Sequence, residues 1–412
     1  MNAIIATIKG LSGEGGRGLT PVGLVSLAHG ATHWIHATYY VLLPFIALEF
    51  GLSYTQTGSL MTLFYVSTFL TNVASGPIVD LTGRSVALQI ASLLISGAAL
   101  VVLGLSANPI GVAVTLILIG ISISMWHPPS ISYLSRCYPK SRGLALSIHT
   151  VGASFGDVIA PPIAGFLMTV LAWRETALVN AAPLFVMALV VFVVLKELER
   201  PKREAGATKL STRYLEGARL LVRDRSFQRL CVMSGLWSMS QNGVAFFLPL
   251  YLVGDLDAGP AEVGLALAAM QIGAVFTGPI AGAWSDRIGR RPVVITSLTI
   301  GAAAIAALPF IDAIVPFVAV AAIVGCALYS MRPVVHSWTM DLAGAQTSGS
   351  AVSMVFAFQA GMMMLLPVIG GLVADIWGLS TVFHLMMVTC FAAAVLAWSM
   401  PNSGASPASA TA

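Results

Sequence analysis

Charge is what this sequence lacks. Only 9% of its 412 residues are Asp, Glu, Lys or Arg, while 57% are hydrophobic; a water-soluble chain carries about 25% charged residues. The shortage excludes a soluble fold. It also excludes a nucleic-acid partner, because the net charge of +4 comes from short basic clusters between apolar runs and not from a continuous basic face. Cysteine is scarce as well. Cys137, Cys231, Cys326 and Cys390 stand far apart, without the close pairs of a zinc site, a redox couple or a disulfide framework. No HExxH or comparable metal-plus-base signature is present, so no metal, cofactor or enzymatic chemistry is expected.

What fills the chain is apolar sequence interrupted at regular intervals. About 20 apolar residues cross a bilayer, so twelve crossings use about 240 residues and leave the rest for helix ends and short connections. Apolar runs between charges and Gly/Pro breaks predict helices at 21–48, 55–79, 86–106, 109–135, 143–170 and 173–195, then at 228–253, 261–284, 292–311, 314–338, 349–374 and 378–400. With a cytoplasmic amino terminus, every Lys and Arg except Arg174 and Arg332 falls on the cytoplasmic side. The opposite loops carry Glu49, Asp255, Asp257, Glu262, Asp312 and Asp375. This positive-inside bias places both termini in the cytoplasm and the protein in the cell (inner) membrane as a multi-pass protein. The first helix starts too late and runs too long for a cleaved signal sequence. Residues 196–227 are the one long polar stretch and divide a bundle in 1–195 from one in 228–400, and the small, polar tail 401–412 is expected to be disordered.

The two halves repeat. At an offset of 206, Gly58, Gly76, Asp80, Gly83 and Arg84 map onto Gly264, Gly282, Asp286, Gly289 and Arg290. Likewise Gly143, Ser147, Pro161 and Gly165 map onto Gly349, Ser353, Pro367 and Gly371. Weak self-similarity at a fixed offset is the mark of a transporter built from parallel repeats. The expected architecture is an all-α integral membrane fold, twelve transmembrane helices in two pseudo-symmetric six-helix bundles around a central cavity.

GPIVDLTGRS at 76–85 and GAWSDRIGRR at 282–291 each end a helix, turn tightly and begin another. These segments resemble the loop signature of the major facilitator superfamily. Gly allows close helix contact and a sharp turn, and an Asp at a helix end can pair with Arg to latch one state; Asp80, Arg84, Asp286 and Arg290 are therefore candidate gating residues. In the fifth helix, Ser147, Gly156, Ala160-Pro161 and Ala164-Gly165 are similar to the Gly- and Pro-rich pattern of the superfamily's proton-coupled exporters, with small residues replacing some glycines. Such residues also suit plain helix packing.

A narrower likeness covers mainly the first half. Ser26, His29, Pro44, Glu49-Phe50, Gln56 and Gly58, with Trp126-His127-Pro128-Pro129-Ser130, resemble the fosmidomycin-resistance efflux branch. That resemblance implies export of small toxic compounds in exchange for protons. His29 and His127 match the branch pattern, whereas His33 and Pro129 stand where it has acids.

Ionisable groups at membrane depth are costly and normally face the bundle interior, which makes them functional candidates. His29, His33 and His36 at i, i+4 and i+7, followed by Tyr40, share one helical face. Asp157 is the only acid expected at mid-depth, about 80° round its helix from His149. With His29, His33 and His127 it is the expected proton-coupling set. Arg332, beside Pro333 and one turn before His336, needs an anionic partner, either a protein carboxylate such as Asp157 or an acidic substrate group. The substrate-binding candidates are Arg332, His127, His33, His36, Tyr40, Trp126, Gln241, Asn242 and Gln359. Each also has an ordinary packing reading, and His384 has only that one.

The expectation is a monomeric, proton-coupled alternating-access transporter in the lipid bilayer, exporting a small anionic or amphiphilic compound. A proton symporter importing an organic acid uses the same Arg and His set. An integral-membrane metalloenzyme on the first-helix histidines is the reading from another class; neither an acid nor a Cys ligand accompanies them on their own helix.

Overall fold

The computed structural model describes residues 18–139, 141–196, 223–343 and 348–403. Among the described residues there are thirteen α-helices and no strand. They are α1 (Thr20–Glu49), α2 (Tyr54–Thr82), α3 (Ser85–Gly104), α4 (Pro109–Cys137), α5 (Arg142–Leu167), α6 (Trp173–Leu195), α7 (Arg225–Gly254), α8 (Pro260–Ile288), α9 (Arg290–Ala307), α10 (Ile314–Leu328), α11 (Met331–Ala343), α12 (Ser348–Trp377) and α13 (Leu379–Trp398). These are the twelve expected spans, the tenth made of two pieces, α10 and α11. Nine are long and apolar enough to cross a bilayer on those grounds alone. The other three, α1, α2 and α7, are long enough at 30, 29 and 30 residues but carry histidines, amides and hydroxyls. Large apolar side chains such as Leu105, Phe166, Phe276 and Trp398 are exposed; they face outward because hydrocarbon is the solvent.

The chain groups into two compact units, Met1–Leu42 with Val66–Ala205 and Leu43–Tyr65 with Gly206–Ala412. In the first, α5 lies directly against α1. A Cβ on Gly152 would sit 1.9 Å from the Ser26 carbonyl oxygen, and one on Gly156 would sit 2.1 Å from that of Gly30. The two helices thus meet backbone to backbone along a small-xxx-small stripe, a contact that lipid cannot drive by apolar burial and that close packing must supply.

The second unit uses the same device between α2 and α12, where a Cβ on Gly58 would meet the Pro367 carbonyl at 2.0 Å. At the end of that contact the Asp375 carboxylate accepts the backbone N–H groups of Tyr54 and Thr55, both at 2.9 Å. The first turn of α2 is thereby capped by an acid from another helix, where orphan donors and the helix dipole favour negative charge.

The tenth span departs from the expectation of one helix over 314–338. It breaks at Tyr329–Ser330, and Pro333 falls in the first turn of α11, where its missing N–H costs nothing. Carbonyls beside the break are taken up locally: Trp237 Nε1 donates to Leu328 (2.9 Å), Thr277 Oγ1 to Cys326 (3.1 Å) and Ser330 Oγ to Ala327 (3.1 Å). Broken helices persist at membrane depth only when their backbone is re-satisfied in this way.

Gly83 and Gly289, the repeated turn glycines, both have positive φ, +62° and +97°. At residues 402 and 403 the chain meets the start of α9: Asn402 Oδ1 accepts from Arg291 N (3.2 Å), and the Ser403 carbonyl accepts from Arg290 N (2.8 Å). Residues 404–412 lie outside the described residues, as does most of the linker 196–227, at 197–222.

Replacing Gly156 by Val is expected to push α1 and α5 apart and to destabilise the protein by about 1–3 kcal/mol or more. Gly143→Ala, where nothing lies within 4 Å, should be neutral or slightly stabilising. Melting temperatures of the two purified variants in detergent decide it; equal melting temperatures would contradict the backbone contact.

Candidate functional site

Because α5 is held so close to α1, side chains one turn further along meet across the interface. His33 Nδ1 donates to both oxygens of Asp157, at 3.0 and 3.1 Å, and the Asp157 residue is only 7% exposed. One turn back, His29 Nδ1 donates to the backbone carbonyl of His149 at 2.7 Å. The His29 and His149 rings stack with centroids 3.9 Å apart and planes 9° from parallel. Trp126, fully buried on α4, donates from Nε1 to His149 Nε2 at 3.2 Å. The next residue, His127, brings its ring edge-on to that of His29, with centroids 5.1 Å apart. Four imidazoles, one indole and one carboxylate from α1, α4 and α5 therefore form a single connected cluster inside the first unit.

Nitrogens of His29, His33 and His127 all lie within 4.8 Å of one another, so these three residues can hold a metal ion. Further along the stripe, the His36 and Tyr40 ring centroids lie 4.3 Å apart.

In the second unit Arg332 is the second residue of α11, just past the break in the tenth span, and is exposed. Its guanidinium lies 5.2 Å from the Tyr329 ring centroid, and among the described residues it makes no ion pair. Gln359 Nε2 donates to Ser234 Oγ at 2.7 Å. Asn242 Nδ2 donates within α7 to Ser238 O and Oγ, at 3.0 and 3.1 Å. Gln241 is buried on α7, and its Nε2 has no hydrogen-bond partner among the described residues. His384 bonds to Ser380 O of its own helix at 3.0 Å.

Of the gating candidates, Arg290 is paired with Asp286 and also donates from Nε to Asp341 at 3.1 Å. The Asp80 side chain lies outside the described residues, and Arg84 is exposed. The sequence reading missed two participants. His149 was named only as a reference point for Asp157, and Asp341 was not named. The signal for His149 was present: Gly152-xxx-Gly156 marks the face of α5 turned to α1, and His149 lies on it one turn before Gly152.

Apolar helices enclosing ionisable side chains are the architecture of a multi-span membrane transporter of small molecules. The family model of the Major Facilitator Superfamily matches residues 25–257 and 230–411, and the chain belongs to that family. It is 24% identical over 379 residues to the fosmidomycin resistance protein of Escherichia coli (strain K12), covering 88% of each chain. It is 22% identical over 298 residues to multidrug resistance protein MdtG of Dickeya zeae (strain Ech586), covering 67% of this chain and 71% of that one. Its fold is similar to that of a bacterial homologue of the human lysosomal transporter Spinster, with a TM-score of 0.77, 18% identity and coverage of 92% and 96%. A POT family transporter gives 0.74, 13% identity and coverage of 93% and 96%.

The His33–Asp157 contact can be weighed by a double-mutant cycle. Thermal stabilities of His33→Gln, Asp157→Asn and the double variant should reveal a coupling of roughly 1–3 kcal/mol. If the two single effects simply added, the pair would carry no energy.

Proposed function

We propose that this protein exports a small anionic or amphiphilic compound across the cell (inner) membrane in exchange for protons, acting as a monomer with both termini in the cytoplasm. The observation that carries the reading is a carboxylate buried within the first unit, Asp157, set in a histidine cluster among otherwise apolar helices. Groups of this kind persist at membrane depth when they serve an ion or substrate path. Efflux is supported by the likeness to fosmidomycin and multidrug resistance proteins. The fifth-span pattern of Gly156, Pro161 and Gly165 supports proton exchange.

In this reading Asp157, with His29, His33 and His127, carries the coupling charge. Arg332 takes the negative group of the cargo: it is exposed, permanently charged and without an ion partner among the described residues. His36, Tyr40 and Trp126 in the first unit and Gln241 and Gln359 in the second are the further candidate cargo contacts. The pairs Asp80/Arg84 and Asp286/Arg290 close in one of the two states and open in the other.

Everted membrane vesicles test direction and coupling together. An imposed pH gradient, acid inside, should drive accumulation of a phosphonate such as fosmidomycin. Asp157→Asn should abolish the dependence on the gradient, and Arg332→Gln should raise KM about tenfold or more, as expected for loss of a charged contact. Gradient-driven loss of the compound from the vesicles would reverse the direction and support proton-coupled import. A fully coupled Asp157→Asn would remove that residue from the mechanism.

A further inference from the structure

The histidine cluster has a feature that proton exchange does not require. Two of its rings are oriented from behind by acceptors. His29 gives its Nδ1 proton to the His149 carbonyl at 2.7 Å, and His33 gives its own to Asp157 at 3.0 and 3.1 Å. Each ring is thereby fixed as the tautomer whose Nε2 carries a lone pair. His29 Nε2 is buried and has no hydrogen-bond partner among the described residues. Metal-ligating histidines have this arrangement: the far nitrogen donates to a carbonyl or a carboxylate, which sets the ring and makes the near nitrogen more basic. His127 completes the group, and one nitrogen from each of the three rings falls within 4.8 Å of the other two.

We infer that His29, His33 and His127 form a binding site for a divalent late-transition-metal ion, with Asp157 and the His149 carbonyl as outer-shell partners. Three imidazoles and no oxygen ligand select zinc, cobalt, nickel or copper over magnesium or calcium. Tetrahedral ligands at about 2.0–2.1 Å from an ion stand about 3.4 Å apart, so the nitrogens need to close by no more than about 1.4 Å. The ligands come from α1 and α4, and the outer shell from α5. Three protein ligands leave a fourth position open for water or for an anionic group of a small molecule. The on-helix acid that the sequence lacked is supplied across the interface by Asp157, where it serves the ring instead of the ion. Metal and proton would compete for the same lone pairs, but export does not need the metal, so absence of binding would overturn this site and leave the export reading standing.

The test uses the full chain, purified without a polyhistidine tag, stripped with a chelator and titrated with Zn2+ by calorimetry. One ion per chain is expected. His29→Gln and His127→Gln should weaken binding by more than 100-fold, and Asp157→Asn by about 10- to 100-fold, the usual cost of losing an outer-shell partner. His384→Ala should bind as the wild type does. Co2+ bound to the wild-type protein should give the intense visible bands of tetrahedral coordination, and Zn2+ should protect His29, His33 and His127 from diethylpyrocarbonate. Those two measurements decide the matter even if a variant fails to fold. Absence of stoichiometric binding, unchanged affinity in His29→Gln and His127→Gln, or a weak octahedral cobalt spectrum without protection would each overturn the site.

Discussion

The backbone contact between α1 and α5 is the constraint on which the first unit's chemistry depends. Gly30, Gly152 and Gly156 remove every side-chain atom from the place where the helices touch. Only at that separation does a His33 imidazole on one helix reach an Asp157 carboxylate on the other at 3.0 Å. In water, apolar burial could hold the helices together with larger residues between them. In hydrocarbon that force is absent, and close van der Waals packing and interhelical hydrogen bonds take its place. The glycines and the buried pair therefore form one device: the glycines set the distance, and the pair, together with the His29 bond to the His149 carbonyl, fixes the register. A shift of either helix by one residue would point Asp157 away from His33 and leave a carboxylate unpaired at membrane depth.

Much of this was legible because membrane helices announce themselves by composition. The first span, expected at 21–48, is Thr20–Glu49, and the sixth, expected at 173–195, is Trp173–Leu195. Bilayer thickness, loop charge and the internal repeat each constrain the same boundaries, so errors in one are corrected by another. The repeated glycines at 83 and 289 were readable for a steric reason, since both turns need a positive φ. The break at Tyr329–Ser330 was not readable from hydropathy, because the apolar run continues through it. Pro333 was the available clue, and a proline there fits a new first turn better than a helix interior.

The site was half legible. That His29, His33, His127 and Asp157 matter follows from their rarity in an apolar chain, but which of them meet does not. Helical periodicity put His36 on the same stripe as His29 and His33, yet i and i+7 stand about 10.5 Å apart along the helix axis, so His36 meets Tyr40 and lies beyond the reach of the His29 ring. His149 went unassigned because its contribution through the backbone carbonyl is invisible in a sequence. Arg332 could be assigned a need for an anion but not its place beside a broken helix.

The two units hold their charges differently, and that difference shapes what each can do. In the first, the histidine and carboxylate groups of the cluster are buried or half-buried and in contact with one another. In the second, Arg332 is exposed beside an aromatic ring and bears a charge that no membrane environment removes. A guanidinium at that depth is tolerated if water or an anion reaches it for part of the cycle. An arrangement with one enclosed exchangeable cluster and one permanently charged open group suits a transporter. In the proposed export cycle the first unit would change its charge state without releasing it to lipid, while the second would offer a constant attraction to an anionic cargo.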